Sequence, residues 1–419
     1  MPAIKKDTVR FILTLGQFAL LLLLVFSGRD AWGAKFSAQS SVSVSEQYND
    51  NIYLTDKDRT TDYITQVLPS LNLDYKAPLW KWGLAYTLDF RHYLNGSVSD
   101  NFAHNLNLNN STELLRKLFY LDVSERYTRS SLSLTRNYTQ ESLFVNQTDR
   151  NDFTAAPHFT LRPGNGTTLD IGYTYENIWY KNSSGINKQD SSLHADAKTE
   201  ASQNLELTAG VLYLWEQNDI ENFNKTNLYV GAKYRYAPDS HLFFTVGGNI
   251  YDFHISGTSD QLNWDAGIDH RFAAFTAKIE ASSQFVEDPT YILSRIDTYG
   301  ISLATGSART PVTLGLNLSE YRDWPSEELR TTAYGITGAV SHNFTPGTRI
   351  SANVTAQRYE DKLENSYTNS LISGADINYA LFRNMSLSLD YLYIYSHSPV
   401  VLMDSYLNNQ LTAGITVTF

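Results

Sequence analysis

The sequence predicts an all-β fold, a transmembrane antiparallel up-and-down β-barrel of about twenty strands, with about eighteen as the alternative. Three observations predict this class. Apolar and polar residues alternate with a period of two over segments of about ten residues, and turn signals recur at hairpin spacing. The 419 residues also combine 28 Tyr and no Cys with a mean hydropathy of −0.33.

The composition excludes several other classes. The formal net charge of −11 disfavours a nucleic-acid-binding protein. The absence of Cys excludes disulfide scaffolds, thiolate zinc sites, iron–sulfur clusters and covalent c-type haem attachment. The low mean hydropathy argues against a helical membrane protein. We therefore expect no cofactor and no nucleic-acid partner.

Residues 1–34 have the pattern of a cleaved secretory signal peptide. Lys5, Lys6 and Arg10 precede an apolar segment, Phe11 to Phe26, and cleavage is expected after Gly33 or Ala34. An uncleaved anchor is disfavoured because about 16 apolar residues are short for a membrane span. Residues 35–419 are then a single outer-membrane β-barrel domain.

Alternation is clearest in the segment from Trp80 to Phe90. One predicted face carries Trp80, Trp82, Leu84, Tyr86, Leu88 and Phe90, and the other carries Lys81, Gly83, Ala85, Thr87 and Asp89. A transmembrane strand has this pattern because one face meets lipid and the other meets water.

Nine short turns separate these strands at a spacing of roughly 34–39 residues, with one longer gap, which is one hairpin plus a loop. They lie near Ala77-Pro78, Arg116-Lys117, Pro163-Gly164, Ser202-Gln203, Pro238-Asp239, Ala273-Ala274, Ser307-Ala308, Pro346-Gly347 and Arg383-Asn384. Longer polar loops alternate with them, as at 49–60, 131–150 and 324–328. Both chain ends are then periplasmic. A β-propeller has a similar period, but its GH…WD signature is absent.

The last residues resemble the assembly signal of bacterial outer-membrane barrels. Ile415, Val417 and the terminal Phe419 share one apolar face. We expect the barrel assembly machinery to recognise this strand, and outer-membrane lipid and lipopolysaccharide to surround the finished barrel. The expected location is the bacterial outer membrane.

The opposite faces of the strands predict a hydrated pore. About twenty tilted strands give a backbone diameter near 40 Å and a lumen about 25 Å wide unless loops fold in. The predicted pore-lining residues are Asp74, Asp89, Asp170, Glu176, Glu206, Asp265, Asp269, Lys278, Glu280, Asp376 and Asp390. A lumen of that width suits a polymer chain or many small solutes.

No catalytic motif is present, so the sequence predicts no enzyme and no catalytic residue. The nine His residues are scattered and show no metal-ligand spacing. Asp50, Asp56 and Asp58 in the first loop are a weak candidate for a Ca²⁺ site. A solvated loop is the favoured interpretation, because no glycine turn follows.

The first hairpin resembles a known family. The segment Asn49-Asp50-Asn51-Ile52-Tyr53, followed by a strand with Pro69 near its middle, is similar to the opening of the β-barrel porin 2 superfamily. The resemblance covers roughly residues 41–76 and rests on general architecture elsewhere. It implies an outer-membrane barrel for exopolysaccharide export that works with a periplasmic polysaccharide-export protein. It supplies no catalytic residues.

Three functions remain open from the sequence. Export of an exopolysaccharide is favoured, because a polar and aromatic wall suits sugars. A general or substrate-specific diffusion porin is the first alternative, and its acidic charge would favour cations. The second alternative is a barrel sheath of a porin–cytochrome electron conduit, which would need partner cytochromes because this chain has no Cys.

Overall fold

The computed structural model describes residues 34–134, 136, 138–140, 142, 146–286, 288–290, 293–323, 326–400 and 405–419. Residues 1–33 of the predicted signal peptide lie outside these ranges, as does Trp324 of a predicted loop, so the leader remains a prediction. Within the described ranges, no helix has the length and apolarity needed to cross a membrane.

Twenty strands make up almost all of the described chain. The first ten are β1 (Lys35–Asn49), β2 (Asp62–Lys76), β3 (Trp80–Tyr93), β4 (Asn101–Leu115), β5 (Phe119–Ser131), β6 (Gln147–Gly164), β7 (Thr167–Tyr180), β8 (Lys188–Ser202), β9 (Leu205–Asn218) and β10 (Phe223–Ala237). The other ten are β11 (Ser240–Phe253), β12 (Gly257–Arg271), β13 (Phe275–Val286), β14 (Ser294–Thr305), β15 (Val312–Asp323), β16 (Leu329–Thr345), β17 (Thr348–Asp361), β18 (Ser366–Phe382), β19 (Met385–His397) and β20 (Tyr406–Thr418). One short 3₁₀ helix, Tyr138–Gln140, lies in the β5–β6 connection.

The strands form one closed antiparallel sheet. Each strand pairs with the next along the chain, and β1 pairs with β20 from Ser41↔Thr418 to Asn49↔Gln410. Closure gives every strand two neighbours, so backbone N–H and C=O groups pair within the wall except at two seams near the extracellular end. The predicted barrel is confirmed with twenty strands, and the alternative of eighteen is wrong.

The two ends of the barrel differ as the sequence indicated. Nine connections of two to six residues lie at the end where β1 begins and β20 ends, and ten loops lie at the other end. In outer-membrane barrels these ends are periplasmic and extracellular, respectively. One predicted turn is displaced, because β6 continues to Gly164 and its turn is formed by residues 165 and 166.

Proline interrupts the ladder at two places without ending a strand. Pro69 pairs with Val42 on one side, but the β2–β3 ladder skips from Val67 to Ser70. Pro157 similarly leaves a gap in the β6–β7 ladder. Proline has no N–H to donate, so each strand keeps one complete ladder and loses bonds on its other edge.

The outer surface of the barrel is an apolar belt. The most exposed large side chains include Leu228, Leu262 and Ile336, at 57%, 60% and 57% exposed. Their immediate neighbours along each strand turn to the lumen, because side chains alternate across a sheet. The alternation read from Trp80 to Phe90 holds, since Tyr75 and Trp82 are register partners whose rings stack at 6.0 Å on the outer face.

Two seams open toward the extracellular end. The β4–β5 ladder reaches only Leu106↔Tyr127, and the β12–β13 ladder reaches only Trp264↔Ser283, although the strands continue. Beyond the second seam, the ring of Phe285 lies 5.6 Å from that of Tyr251, a luminal residue of β11. The upper part of the β13–β14 hairpin therefore bends into the lumen.

Candidate functional site: the barrel lumen

All eleven predicted pore-lining residues lie on the luminal face by strand register. They are Asp74, Asp89, Asp170, Glu176, Glu206, Asp265, Asp269, Lys278, Glu280, Asp376 and Asp390. The register places Asp376 directly opposite Asp390, and Asp170 directly opposite Asp196. Whether they line a conduction path stays a prediction.

Several luminal charges are paired by neighbours rather than free in the pore. Asp89 binds Arg91 at 3.0 Å on the same strand, and Lys278 binds Glu280 at 2.5 Å. Others pair across strands, as Lys198 with Glu206 at 2.8 Å and His241 with Asp269 at 3.0 Å. These pairs weaken the negative electrostatic potential in the lumen that the sequence predicted.

Two histidines that lie far apart in the sequence face each other across Gly172 in the lumen. His158, Gly172 and His194 are register partners on β6, β7 and β8. The missing side chain at Gly172 lets both imidazoles approach Asp170, at 3.9 Å from His158 and 3.2 Å from His194. No chain spacing reveals this meeting, since it depends on the register of three strands. In the described part of the chain, no group of three such residues has metal-binding geometry.

The first-loop carboxylates are not gathered into a metal site in the described residues. Asp50 is occupied, because its Oδ1 and Oδ2 accept the backbone N–H and the side-chain amide of Asn409, each at 2.7 Å. Asp56 and Asp58 are exposed on the same loop. The structure thus does not support the weak Ca²⁺ candidate, since Asp50 serves the attachment of the loop to β20.

The Asn49-Asp50-Asn51 motif attaches the first loop to the closing strand. Asn51 is fully buried, and its side-chain amide donates to the carbonyls of Thr55 at 2.7 Å and Leu407 at 2.9 Å. Asn408 donates to Asn49 Oδ1 at 2.9 Å and to the Asn51 carbonyl at 2.6 Å. These bonds draw the loop into the extracellular end of the lumen.

The extracellular end of the lumen is packed with inward-folded residues. Leu54 of the first loop joins Ile372, Ile394 and Tyr406 in a buried cluster. A second cluster, the upper mouth cluster, contains Phe223, Tyr251, Phe253 and Leu293, with Leu214 and Phe285 packed against it. The prediction of a wide lumen assumed that loops stay outside, whereas Leu54 and Leu293 of two extracellular loops pack inside this end.

Arg136 ties the β5–β6 connection to β19 and β20. Its Nη2 donates to Ser396 Oγ at 3.1 Å and to the Tyr406 hydroxyl at 2.5 Å. The guanidinium also lies 4.7 Å from the ring centre of Tyr138. β5 and β20 are separated by four of the twenty strands, so this connection reaches over part of the mouth.

Glu221 joins two neighbouring extracellular loops. Its carboxylate accepts the N–H groups of Ile255 at 2.6 Å and Ser256 at 2.7 Å, and the Ser256 hydroxyl at 2.7 Å. Burial alone would raise the pKa of Glu221, but the hydrogen bonds from Ser256 and Ile255 outweigh it. The pKa is held below its usual value.

The predicted assembly residues lie on the outer face of the last strand. Ile415 is 42% exposed and Phe419 is 73% exposed, and Val417 shares their side of β20. The Phe419 N–H donates to the Ser40 carbonyl at 2.8 Å, so the chain terminus is held at the β1–β20 seam. Recognition of these residues by the assembly machinery stays a prediction.

Solved structures share the fold. The siderophore receptor PirA from Pseudomonas aeruginosa is 13% identical with a TM-score of 0.51, covering 91% of this chain and 80% of its own. The FrpB iron transporter from Neisseria meningitidis, F5-1 variant in apoprotein form, is 8% identical with a TM-score of 0.55 and coverages of 91% and 81%. The ferric-catecholate import receptor Fiu from E. coli K12 is 10% identical with a TM-score of 0.50 and coverages of 91% and 82%.

These similarities establish the fold alone. No family model matches the sequence, and no curated protein matches it either. The chain is a twenty-stranded β-barrel of the outer-membrane type, and its apolar belt places it in a bacterial outer membrane. Membership of the porin 2 superfamily remains a prediction from the first hairpin.

Proposed function

We propose that the barrel is a passive outer-membrane conduit that secretes an exopolysaccharide. The observation that carries the proposal is the polar luminal wall of a twenty-stranded barrel. A barrel of this size has an interior wider than the side chains of its wall can fill. Asn105, Asn107 and Asn109 follow one another on the luminal face of β4. Amide groups in such a row match the hydroxyl groups of a sugar chain as it advances.

A luminal groove beside this row supports the same proposal. It has a volume of about 620 Å³ and lies over β2 to β6. Its luminal lining combines hydroxyl, amide and charged groups, namely Asp74, Lys76, Lys81, Asn109, Ser111, Asp122, Ser124 and Thr154. Groups that both donate and accept hydrogen bonds suit a hydroxyl-rich ligand.

The periplasmic rim offers a place for a periplasmic polysaccharide-export protein. Lys35, Lys76 and Lys81 are register partners on β1, β2 and β3 and point to the lumen. Within the described ranges these three form no ion pair, and like charges placed opposite one another destabilise a sheet. An acidic partner surface would relieve that repulsion. Replacing all three with Glu should abolish co-purification of the partner, and unchanged co-purification contradicts this contact.

The test of the function is a deletion strain stained for surface polysaccharide. Loss of surface polymer, with periplasmic accumulation and restoration by the intact gene, is the expected result. Undiminished surface polymer in the deletion strain overturns the proposal. An unrelated outer-membrane barrel expressed in the deletion strain is the control for general envelope damage.

Diffusion of small solutes is a second candidate, and one observation favours it. The extracellular end is packed by Leu54, Tyr251 and Arg136, which leaves less room for a polymer than for small solutes. This function predicts steady conductance in planar bilayers, with preference for cations, and an unaltered polymer in the deletion strain. Export instead predicts low conductance until the loops move.

A further inference from the structure

We propose that Tyr229 on β10 and Phe243 on β11 form a carbohydrate-binding track on the luminal wall. The inference rests on the proposed export function and names the ligand class, a neutral oligosaccharide segment. Both side chains face the lumen, because their strand neighbours Leu228 and Phe244 are exposed on the lipid side.

Each ring extends over a glycine of the adjacent strand. Tyr229 is the register partner of Gly210, and a Cβ built there would lie 2.6 Å from Tyr229 Cζ. Phe243 is the register partner of Gly267, where a Cβ would lie 2.5 Å from Phe243 Cζ. The edge of each ring therefore lies over backbone at the glycine, and both side chains are half-buried on the luminal side. The track requires each ring to present a face to the lumen, because the C–H groups of a pyranose stack on such a face.

The Tyr229 ring is held in this position before any ligand arrives. Its hydroxyl donates to Asp196 Oδ1 at 2.6 Å, which fixes the outer end of the ring. At its base, a Cβ at Gly247 would lie 3.0 Å from Tyr229 Cβ, so glycine there gives the ring its room. A group fixed in its binding orientation loses little entropy when a ligand binds.

Polar groups stand beside the Tyr229 ring where sugar hydroxyls would lie. Asn227 donates to Asn249 Oδ1 at 2.8 Å, and Asn249 donates to Asn263 Oδ1 at 3.2 Å. Register places Asn263 opposite Gly247, and Gly247 opposite Tyr229. An aromatic face bordered by amide groups offers both contacts that a sugar needs, an apolar face and hydrogen bonds.

The spacing of the two rings selects a chain rather than a single sugar. Phe243 pairs with Lys233, which is four residues from Tyr229 on β10 and so about 13 Å along the strand. A linear oligosaccharide spans that distance, and a monosaccharide does not. Phe243 is the nearer ring to the periplasmic turn, and Tyr229 lies on the way to the upper mouth cluster.

The charge around the track favours a neutral ligand. Asp196 lies opposite Asp170, and both carboxylates face the lumen beside Tyr229. Lys233 faces Glu206 across β9 and β10, and Glu206 is also bound by Lys198 at 2.8 Å. A polyuronate would bring further carboxylates beside Asp196 and Asp170, and the repulsion between like charges opposes its binding at Tyr229.

The test is calorimetric titration of the barrel, purified in detergent from outer membranes, with maltohexaose, cellohexaose and hexagalacturonate. One of the two neutral hexamers is expected to bind. Tyr229→Ala should raise its Kd about tenfold, because the variant removes one stacked ring. Tyr229→Phe keeps the ring and should change Kd by less than about threefold. Tyr234→Ala, at a lipid-facing tyrosine of the same strand that is 46% exposed, is the matched control and should bind as wild type.

Two results overturn the track. One is that neither neutral hexamer binds the wild-type barrel. The other is that Tyr229→Ala binds as tightly as Tyr234→Ala. Either result leaves the export proposal standing if the deletion strain loses its polymer, whereas an unaltered polymer in that strain removes export and leaves the binding result in place.

Discussion

Asn408 donates its side-chain amide to the backbone carbonyl of Asn51 over 2.6 Å, and neither residue is exposed. The two lie 357 positions apart, on the last strand and in the first loop. This bond therefore closes the barrel at its extracellular end, as the β1–β20 ladder closes it through the wall. The motif that prompted a family resemblance acts structurally here, by drawing the first loop inward.

Asn408→Ala should destabilise the barrel measurably. It leaves the Asn51 carbonyl without its buried donor and removes one of the two hydrogen bonds that Asn49 Oδ1 accepts, a loss of about 1–3 kcal/mol. The measurement is the midpoint temperature of unfolding, followed by the heat-dependent shift in gel mobility. Asn378→Ala, at an exposed luminal asparagine, is the control. Equal midpoints for the two variants contradict the closing role of Asn408.

Glu221 should hold its two loops together until the pH falls below the usual carboxyl range. Its folded pKa is depressed, so its stabilisation is complete above the unfolded pKa of about 4.3 and is lost as pH falls through the lower folded pKa. Hydrogen exchange of the Ile255 and Ser256 amides, followed as a function of pH, measures the stability of this contact between the loops. Glu221→Gln should weaken protection at pH 7 by about 1–3 kcal/mol and remove its acid transition. A wild-type transition at or above the usual pKa would refute the contact.

A charge on the apolar belt should cost far more than one in the lumen. Ile336 is 57% exposed on the lipid side of β16, and Thr337 beside it faces the lumen. Ile336→Arg should lower the free energy of unfolding by about 2–4 kcal/mol near the bilayer midplane. Thr337→Arg is the matched variant and should have little effect in denaturant titrations in lipid vesicles. If Thr337→Arg is the more destabilising variant, the lipid-facing and luminal faces of β16 are wrongly assigned.

Arg136→Ala should loosen the extracellular mouth. The variant removes the hydrogen bonds to Ser396 and Tyr406 that hold the β5–β6 connection against β19 and β20. We expect single-channel conductance in planar bilayers to rise severalfold, because a wider mouth admits more hydrated ions. Arg59→Ala, in an exposed part of the first loop, should leave conductance unchanged. Unaltered conductance in the Arg136 variant would show that this residue does not restrict the pore.

The barrel itself was readable from the sequence because its solvent imposes a simple rule. Lipid outside and water inside force a period of two, so Trp82 and Asp89 took opposite faces as predicted. The pattern is irregular on β9, where apolar Leu212 and Leu214 lie on the luminal face. The structure explains Leu214, which faces the lumen and packs against the upper mouth cluster.

The contents of the lumen were beyond sequence reasoning because they depend on strand register and loop direction. The approach of His158 and His194 to Asp170 requires three strands in one alignment. The inward bend at the β12–β13 seam and the glycine beneath Tyr229 also follow from pairings far apart in sequence. Alternation predicts which face a residue takes, but it does not predict what lies opposite.

Passage of polymer through the lumen can be measured directly, because the chain has no cysteine of its own. Asn107→Cys places a thiol on the luminal face of β4, and Leu108→Cys places one on its lipid face. Cells carrying each variant are treated with a sugar-sized methanethiosulfonate reagent, and newly exported surface polysaccharide is quantified. If polymer passes through the lumen, labelling blocks export in the Asn107→Cys cells alone. Equal export from both labelled variants, with the Asn107→Cys thiol fully modified, would contradict it.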